Sequence, residues 1–293
     1  MRWWALQVDY HSAMTFKKKL QTAWAESGSM VCVGLDPQMD RLPACVRGEA
    51  KPFLTFNKRL IDATVEHACA YKPQFAYYAA ENRLDELMET MDYLRQAAPG
   101  RVSILDAKRG DIGSTADQYA LEAFSVYGAD AVTVNPYMGG DTLIPFTRYT
   151  DKGVIVLCKT SNPGSAELQD LVLEKGHPLF MEVARQAAGE WNRHDNLALV
   201  VGATYPDELA RVRTVIGEMP LLVPGIGAQG GDLEATLQAG LRPDGWGLLI
   251  NSSRGIIYAS AGEDYAEAAG QATLALKSAC QELQAATTKG ASR

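Results

Sequence analysis

Short apolar or β-branched runs recur along the chain at 30–35, 68–75, 102–107, 131–135, 153–158, 197–202, 220–224 and 245–250. Each has the length and bounding turn residues of a buried strand. Between them lie stretches with apolar residues at i, i+3 and i+4, over 53–66, 83–97, 114–127, 178–192, 206–216, 231–240 and 264–286, the pattern of one-sided helices. Strand and helix alternate throughout, which predicts parallel strands joined by helical crossovers, an α/β fold. Eight such units in roughly 260 residues match a closed (β/α)8 barrel of the TIM type better than an open doubly wound sheet, the structural alternative. No linker, low-complexity tract or strong internal repeat interrupts the pattern, so one catalytic domain over 14–286 is expected. Residues 1–13 read as an N-terminal extension outside the fold, with Met14 an alternative start, and 287–293 as a frayed tail.

Composition narrows the function. The 293 residues are 47% hydrophobic and carry a formal charge of −7, with no basic run longer than Lys17-Lys18-Lys19. That excludes a nucleic-acid or anionic-membrane footprint and requires any anionic ligand to be held by a local pocket. No stretch approaches the roughly 20 apolar residues of a membrane span, and the first residues are too polar for a secretory signal, so a cytoplasmic location is expected. The five cysteines are odd in number, widely spaced and lack zinc-type spacing, and read as reduced thiols.

Chemistry concentrates after the third strand run, where Val102-Ser103-Ile104-Leu105 leads into Asp106-Ala107-Lys108-Arg109-Gly110-Asp111. Side chains alternate along a strand, so Asp106 and Lys108 share a face while Asp111 follows in the loop. In barrel enzymes that end of the strands carries the reacting groups. The second run places Lys72 in an otherwise apolar stretch, and parallel neighbours lie about 4.8 Å apart, close enough for Lys72 to touch Asp106. Asp36, at the end of the first run in Gly34-Leu35-Asp36-Pro37, adds a carboxylate to the rim. An isolated Asp-x-Lys is ordinarily a solvated loop or a surface ion pair. Four ionisable groups of alternating sign on two adjacent strand ends are costly to bury unless the pocket uses them.

The seventh run leads through Pro224 into Gly225-Ile226-Gly227-Ala228-Gln229-Gly230-Gly231, a Gly-x-Gly-x-x-Gly pattern. A dinucleotide fingerprint normally opens the first βαβ unit, and only one strand remains here. Backbone N–H groups of a loop between strands seven and eight suit a phosphomonoester instead. Arg254, just after the eighth run, supplies a guanidinium fork beside them. The fifth run ends in Lys159-Thr160-Ser161-Asn162, small polar groups able to bond a heterocycle or a sugar, although Ser-Asn-Pro-Gly is also ordinary turn chemistry. None of the histidines at 11, 67, 177 and 194 falls on a strand end. Phe75, Tyr77 and Tyr78 read as core packing, with a pocket roof as the alternative.

The run from Asp106 to Thr115, with Gly34 to Pro37, Lys72, the Pro-Gly-Ile-Gly-x-Gln-Gly-Gly loop and Ser253-Arg254, resembles the orotidine 5'-phosphate decarboxylase family in its longer bacterial form. The resemblance implies a (β/α)8 barrel that forms a homodimer with active sites at the interface. It implies conversion of orotidine 5'-phosphate to UMP and CO2 in pyrimidine biosynthesis, with no metal or organic cofactor. Lys108 would be the proton donor and Lys72, Asp106 and Asp111 the rest of the network, with Asp111 and Thr115 reaching into the partner's site. Asp36 would hold the ribose and Ser161 the pyrimidine. Gln229 and Arg254 would hold the phosphate, with Pro224 and Gly230 as further substrate contacts in the same loop. That chemistry agrees with the residues: CO2 loss leaves a carbanion at C6, which a fixed ammonium stabilises and then protonates.

Two alternatives compete. Magnesium-dependent sugar-phosphate decarboxylases and aldolases of the same barrel type place an acidic residue where Lys72 stands, and a lysine there removes the ligand and supplies a cation in its place. A non-catalytic phosphate-binding barrel would keep Arg254 and the glycine loop without needing all four members of the charge network.

Overall fold

The computed structural model describes residues 14–226 and 231–290, with side chains described to 287. The expected extension at 1–13 lies outside the described residues, as do Gln229, Gly230 and the last three residues.

Eight parallel strands form a closed barrel: β1 (Val31–Leu35), β2 (Ala70–Pro73), β3 (Val102–Arg109), β4 (Ala131–Val134), β5 (Gly153–Lys159), β6 (Leu197–Val201), β7 (Leu221–Pro224) and β8 (Leu248–Ser252). Each pairs with its chain neighbour, and β8 closes on β1 through Val31↔Ile250 and Cys32↔Asn251. Closure, rather than an open sheet, leaves no edge strand. Strands such as β1 and β6 are buried at every position, as expected where helices cover the outside and side chains fill the inside.

The outer layer is built by Pro52–Thr64, Leu84–Ala97, Gly113–Leu121, Leu179–Ala188, Pro206–Ile216, Leu233–Gly240 and Tyr265–Gly290. After β4 the crossover is short, a 3-10 turn at Gly140–Leu143 followed by Ile144–Thr147, which periodicity had not indicated. The helix after β3 also ends earlier than expected, opening into a wider π turn over Glu122–Val126. The final helix runs to Gly290, past the boundary expected at 286. None of the described helices is long and apolar enough to cross a membrane.

Two strands differ from their apolar runs. β2 stops at Pro73, and the aromatic residues behind it begin the helical turn Phe75–Ala80. β8 starts three residues late because Gly245 and Gly247 have φ of 81° and 106°, outside any strand. Trp246, held between them, stacks on Trp24.

The helix Phe16–Ser27 plugs the barrel's N-terminal end, burying Phe16, Leu20, Ala23 and Trp24. The basic run on it has structural partners: Lys17 pairs with Asp195 at 3.0 Å and Lys19 with Asp130 at 2.6 Å. The larger cavity lies at the opposite end, where the strands' C-terminal ends converge.

Candidate active site

The C-terminal ends of the strands surround a cavity of about 810 Å³, within the range of small-molecule pockets. At its base sits Asp106, 8% exposed in its side chain, with every acceptor direction in use. Its Oδ2 accepts from Lys72 Nζ at 2.8 Å and from Gln74 Nε2 at 3.2 Å. Its Oδ1 accepts from Lys108 Nζ at 2.7 Å and from Thr133 Oγ1 at 2.8 Å.

Charge state follows from these contacts. Burial alone would raise the Asp106 carboxyl, but the two lysines hold it well below the usual carboxylate range. Burial likewise works against a charged Lys72, and the Asp106 and Asp36 carboxylates outweigh it, leaving that ammonium above its usual value. Nearby Cys32 is pushed up to about 12 by burial and stays a thiol. The base of the cavity therefore holds an ionised Asp106 carboxylate against a charged Lys72, with Lys108 Nζ on the carboxylate's other oxygen.

Lys108 takes its position through an unusual backbone. Its φ is +47°, the left-handed region that β-unbranched residues occupy only at a cost, and the pairing of β3 with β4 shifts register between Leu105 and Arg109. The Lys108 N–H is turned onto Thr133 Oγ1 at 2.9 Å. Thr133 thus anchors the lysine's backbone and its carboxylate partner through one oxygen. The Lys108 side chain is 45% exposed toward the cavity, whereas Lys72 is 6% exposed. Of the two lysines, Lys108 is the one open to the cavity.

Around the wall stand Asp36, Ser161, Pro224 and Arg254, together with Asn251 and Tyr77. Asp36 follows a strand end whose Gly34 is required by close approach, since a Cβ there would meet Ser253 Oγ at 1.8 Å. Ser161 belongs to a braced loop. Lys159 is fully buried against Asp170 at 2.6 Å, and Gln169 bonds both Thr160 N and Thr160 Oγ1, at 2.9 and 2.8 Å. Arg254 opens a one-turn helix, Arg254–Ile257, beside Pro224 at the end of β7.

Asp111 does not join the cluster within one chain. It lies beyond the register shift, its Oδ1 accepts from Ile112 N at 2.8 Å, and neither it nor the exposed Thr115 lines the cavity. None of the described histidines lines it either; His177 instead bonds Glu182 and Arg185 on an outer helix. Tyr78 is core, donating to Leu35 O at 3.1 Å, while Tyr77 faces the cavity. Gln74 and Thr133 escaped the sequence reading. Gln74 could have been suspected from its place two residues after Lys72, but a threonine in an apolar strand carries no signal of its own. Among the described residues, no group of three or more His, Cys, Asp or Glu side chains is placed to hold a metal ion.

A closed (β/α)8 barrel whose mouth holds a carboxylate between two lysines, with an arginine on the adjoining wall, defines an enzyme acting on a small anionic ligand. Residues 29–269 match the family described as Orotidine 5'-phosphate decarboxylase / HUMPS, and the chain belongs to that family. A relative from Janthinobacterium sp. (strain Marseille), named orotidine 5'-phosphate decarboxylase, is 53% identical over 266 residues, 91% of this chain and 98% of its own. One of the same name from Aromatoleum aromaticum is 53% identical over 261 residues, 89% of this chain and 96% of its own. Among solved structures, Leishmania donovani OMP decarboxylase is 42% identical with a TM-score of 0.77, covering 92% of this chain and 99% of that one. Leishmania donovani UMP synthase is 45% identical with a TM-score of 0.79, covering 93% of this chain and 56% of that longer one.

Proposed function

We propose that this protein decarboxylates orotidine 5'-phosphate to UMP and CO2 in pyrimidine biosynthesis, with neither metal nor organic cofactor taking part. The observation that carries the reading is Lys72–Asp106–Lys108 at the base of the cavity, together with the names of its relatives. Arg254 and the loop after β7, in which Gln229 and Gly230 stand, would bind the phosphate; Asp36 would bind the ribose and Ser161 the pyrimidine.

In this reading the C6–carboxylate bond breaks, CO2 departs and the electron pair remains on C6. Lys108 Nζ, the more exposed ammonium, stabilises that charge as it develops and then gives up an N–H proton to form the C6–H bond. The neutral amine regains its proton from solvent. Asp106 fixes the lysine's position, so little reorganisation is needed when charge appears. A metal-dependent chemistry at the same position is less well supported, because both Asp106 oxygens are already engaged by four donors.

Asp111 and Thr115 enter this reading from a second subunit. Supporting it, large apolar side chains stand exposed beside their loop, with Ile112 62% and Tyr137 77% exposed.

The test is to incubate EDTA-treated protein with orotidine 5'-phosphate and follow the pyrimidine absorbance and CO2 release. Turnover without metal is expected. Failure there, with activity on a sugar phosphate once Mg2+ is added, would move the protein to the metal-dependent relatives.

A further inference from the structure

Arg109, the residue after Lys108, does not line the cavity. Its guanidinium forms a two-pronged pair with Glu122, Nε to Oε2 and Nη2 to Oε1, both at 2.9 Å. The same group lies against two rings, 4.3 Å from the Phe75 centroid and 4.6 Å from that of Tyr119. Glu122 is the first residue of the π turn that ends the helix after β3, a local insertion that recurs at functional sites.

These contacts tie together the chain segments on either side of the lysine–carboxylate group. Phe75 directly follows Gln74, whose amide holds Asp106 Oδ2, and Arg109 directly follows Lys108. A left-handed residue such as Lys108 is strained and persists only where its neighbours over-determine it. On the inner side Thr133 holds the Lys108 N–H. The Arg109 carbonyl accepts from Asn135 N at 2.7 Å, which leaves the outer side to the Arg109 side chain.

We infer that Arg109 and Glu122 are positioning residues for the reaction: their bidentate pair, braced on Phe75 and Tyr119, locks the turn that aims Lys108 Nζ at the reacting carbon. The inference rests on Lys108 being the proton donor. Neither residue touches the cavity, so both act on the chemical step and leave ligand affinity alone.

The experiment compares Arg109→Ala, Arg109→Lys, Glu122→Gln and the Arg109→Ala/Glu122→Gln double variant with the parent. For each, kcat and KM for orotidine 5'-phosphate, UMP affinity and Tm are measured. A misplacement of about 1 Å is worth up to about 100-fold, so kcat should fall about 10- to 100-fold. KM and UMP affinity should stay within about twofold, the mark of an interaction lost only in the transition state. The double variant should be no slower than the slower single one, because the two side chains act as one unit. Arg109→Lys should stay impaired, since an ammonium cannot reproduce the fork, and millimolar guanidinium should restore part of the Arg109→Ala rate. If Arg109→Ala does not fold, Glu122→Gln, which keeps the side chain's shape, decides in the same way. Unchanged kcat in folded variants, or kcat and UMP affinity falling together, overturns the inference. A parent protein that releases no CO2 overturns the reading of the site and, with it, this inference.

Discussion

Asp106 and Lys72 meet at 2.8 Å across neighbouring strands, both nearly sealed from solvent, so neither can lose the other without leaving a buried charge. Removing one partner of such a pair typically costs about 3–5 kcal/mol. Asp106→Ala should reach that range in urea unfolding, because it strips the carboxylate from two lysines and from Thr133. Lys72→Met should cost less, since Lys108, Thr133 and Gln74 remain on the carboxylate. An Asp106→Ala protein within about 1 kcal/mol of the parent would show that the cluster does not hold the barrel mouth together.

The same pair sets a pH window. The Asp106 carboxyl is held below its usual 3.8, so its stabilisation is present above that value and lost as pH falls below it. Lys72 is held above its usual 10.5, so its stabilisation is present below 10.5 and lost only as pH rises beyond it. The stability difference between the parent and Asp106→Ala should therefore be flat from about pH 5 to 10 and shrink on either side. A step in that difference near neutrality would contradict the assignment.

Thr133 serves Lys108 N and Asp106 Oδ1 through one hydroxyl. Thr133→Val preserves shape and removes both bonds, leaving buried groups unsatisfied at a cost of about 1–3 kcal/mol. We expect a lower Tm and a lower kcat, with Thr133→Ser close to the parent. Equal kcat in the valine and serine variants would separate Thr133 from the chemistry.

In the proposed function Arg254 binds the phosphate. Charge-assisted hydrogen bonds are worth about 1.5–3 kcal/mol, so Arg254→Ala should weaken UMP binding about 10- to 100-fold. Uridine, which lacks the phosphate, should bind parent and variant alike. A loss of equal size for uridine would place Arg254 elsewhere on the ligand.

The proposed function places Asp111 and Thr115 in a neighbouring subunit's site. Mixing inactive Lys108→Ala with inactive Asp111→Ala should then create hybrid dimers with one intact site, recovering about a quarter of the parent activity at equal ratios. Mixtures that stay inactive after subunit exchange is shown would mean that both residues serve the same subunit.

How much of this was legible in the sequence divides along physical lines. Strand and helix periods are local, so all eight strands were visible, although β8 was placed three residues early because Gly245 and Gly247 break an apolar run without changing its hydrophobicity. The spacing of two between Asp106 and Lys108 put both on one face, and adjacency of β2 to β3 brought Lys72 within reach. The count of eight units favoured a closed barrel over an open sheet, whereas the sealing of its N-terminal end by Phe16–Ser27 required the assembled fold.

The sequence by itself determined an alternating barrel fold and the identity of the lysines and carboxylate at its mouth, because period and spacing are properties of neighbouring residues. Only the tertiary structure decided which residues complete that group. Thr133 lies 27 positions from Asp106 and meets it across neighbouring strands, the left-handed turn at Lys108 falls within the β3–β4 register shift, and Arg109 pairs with Glu122 at the start of a π turn. Those relationships depend on how distant segments pack, which no local pattern encodes.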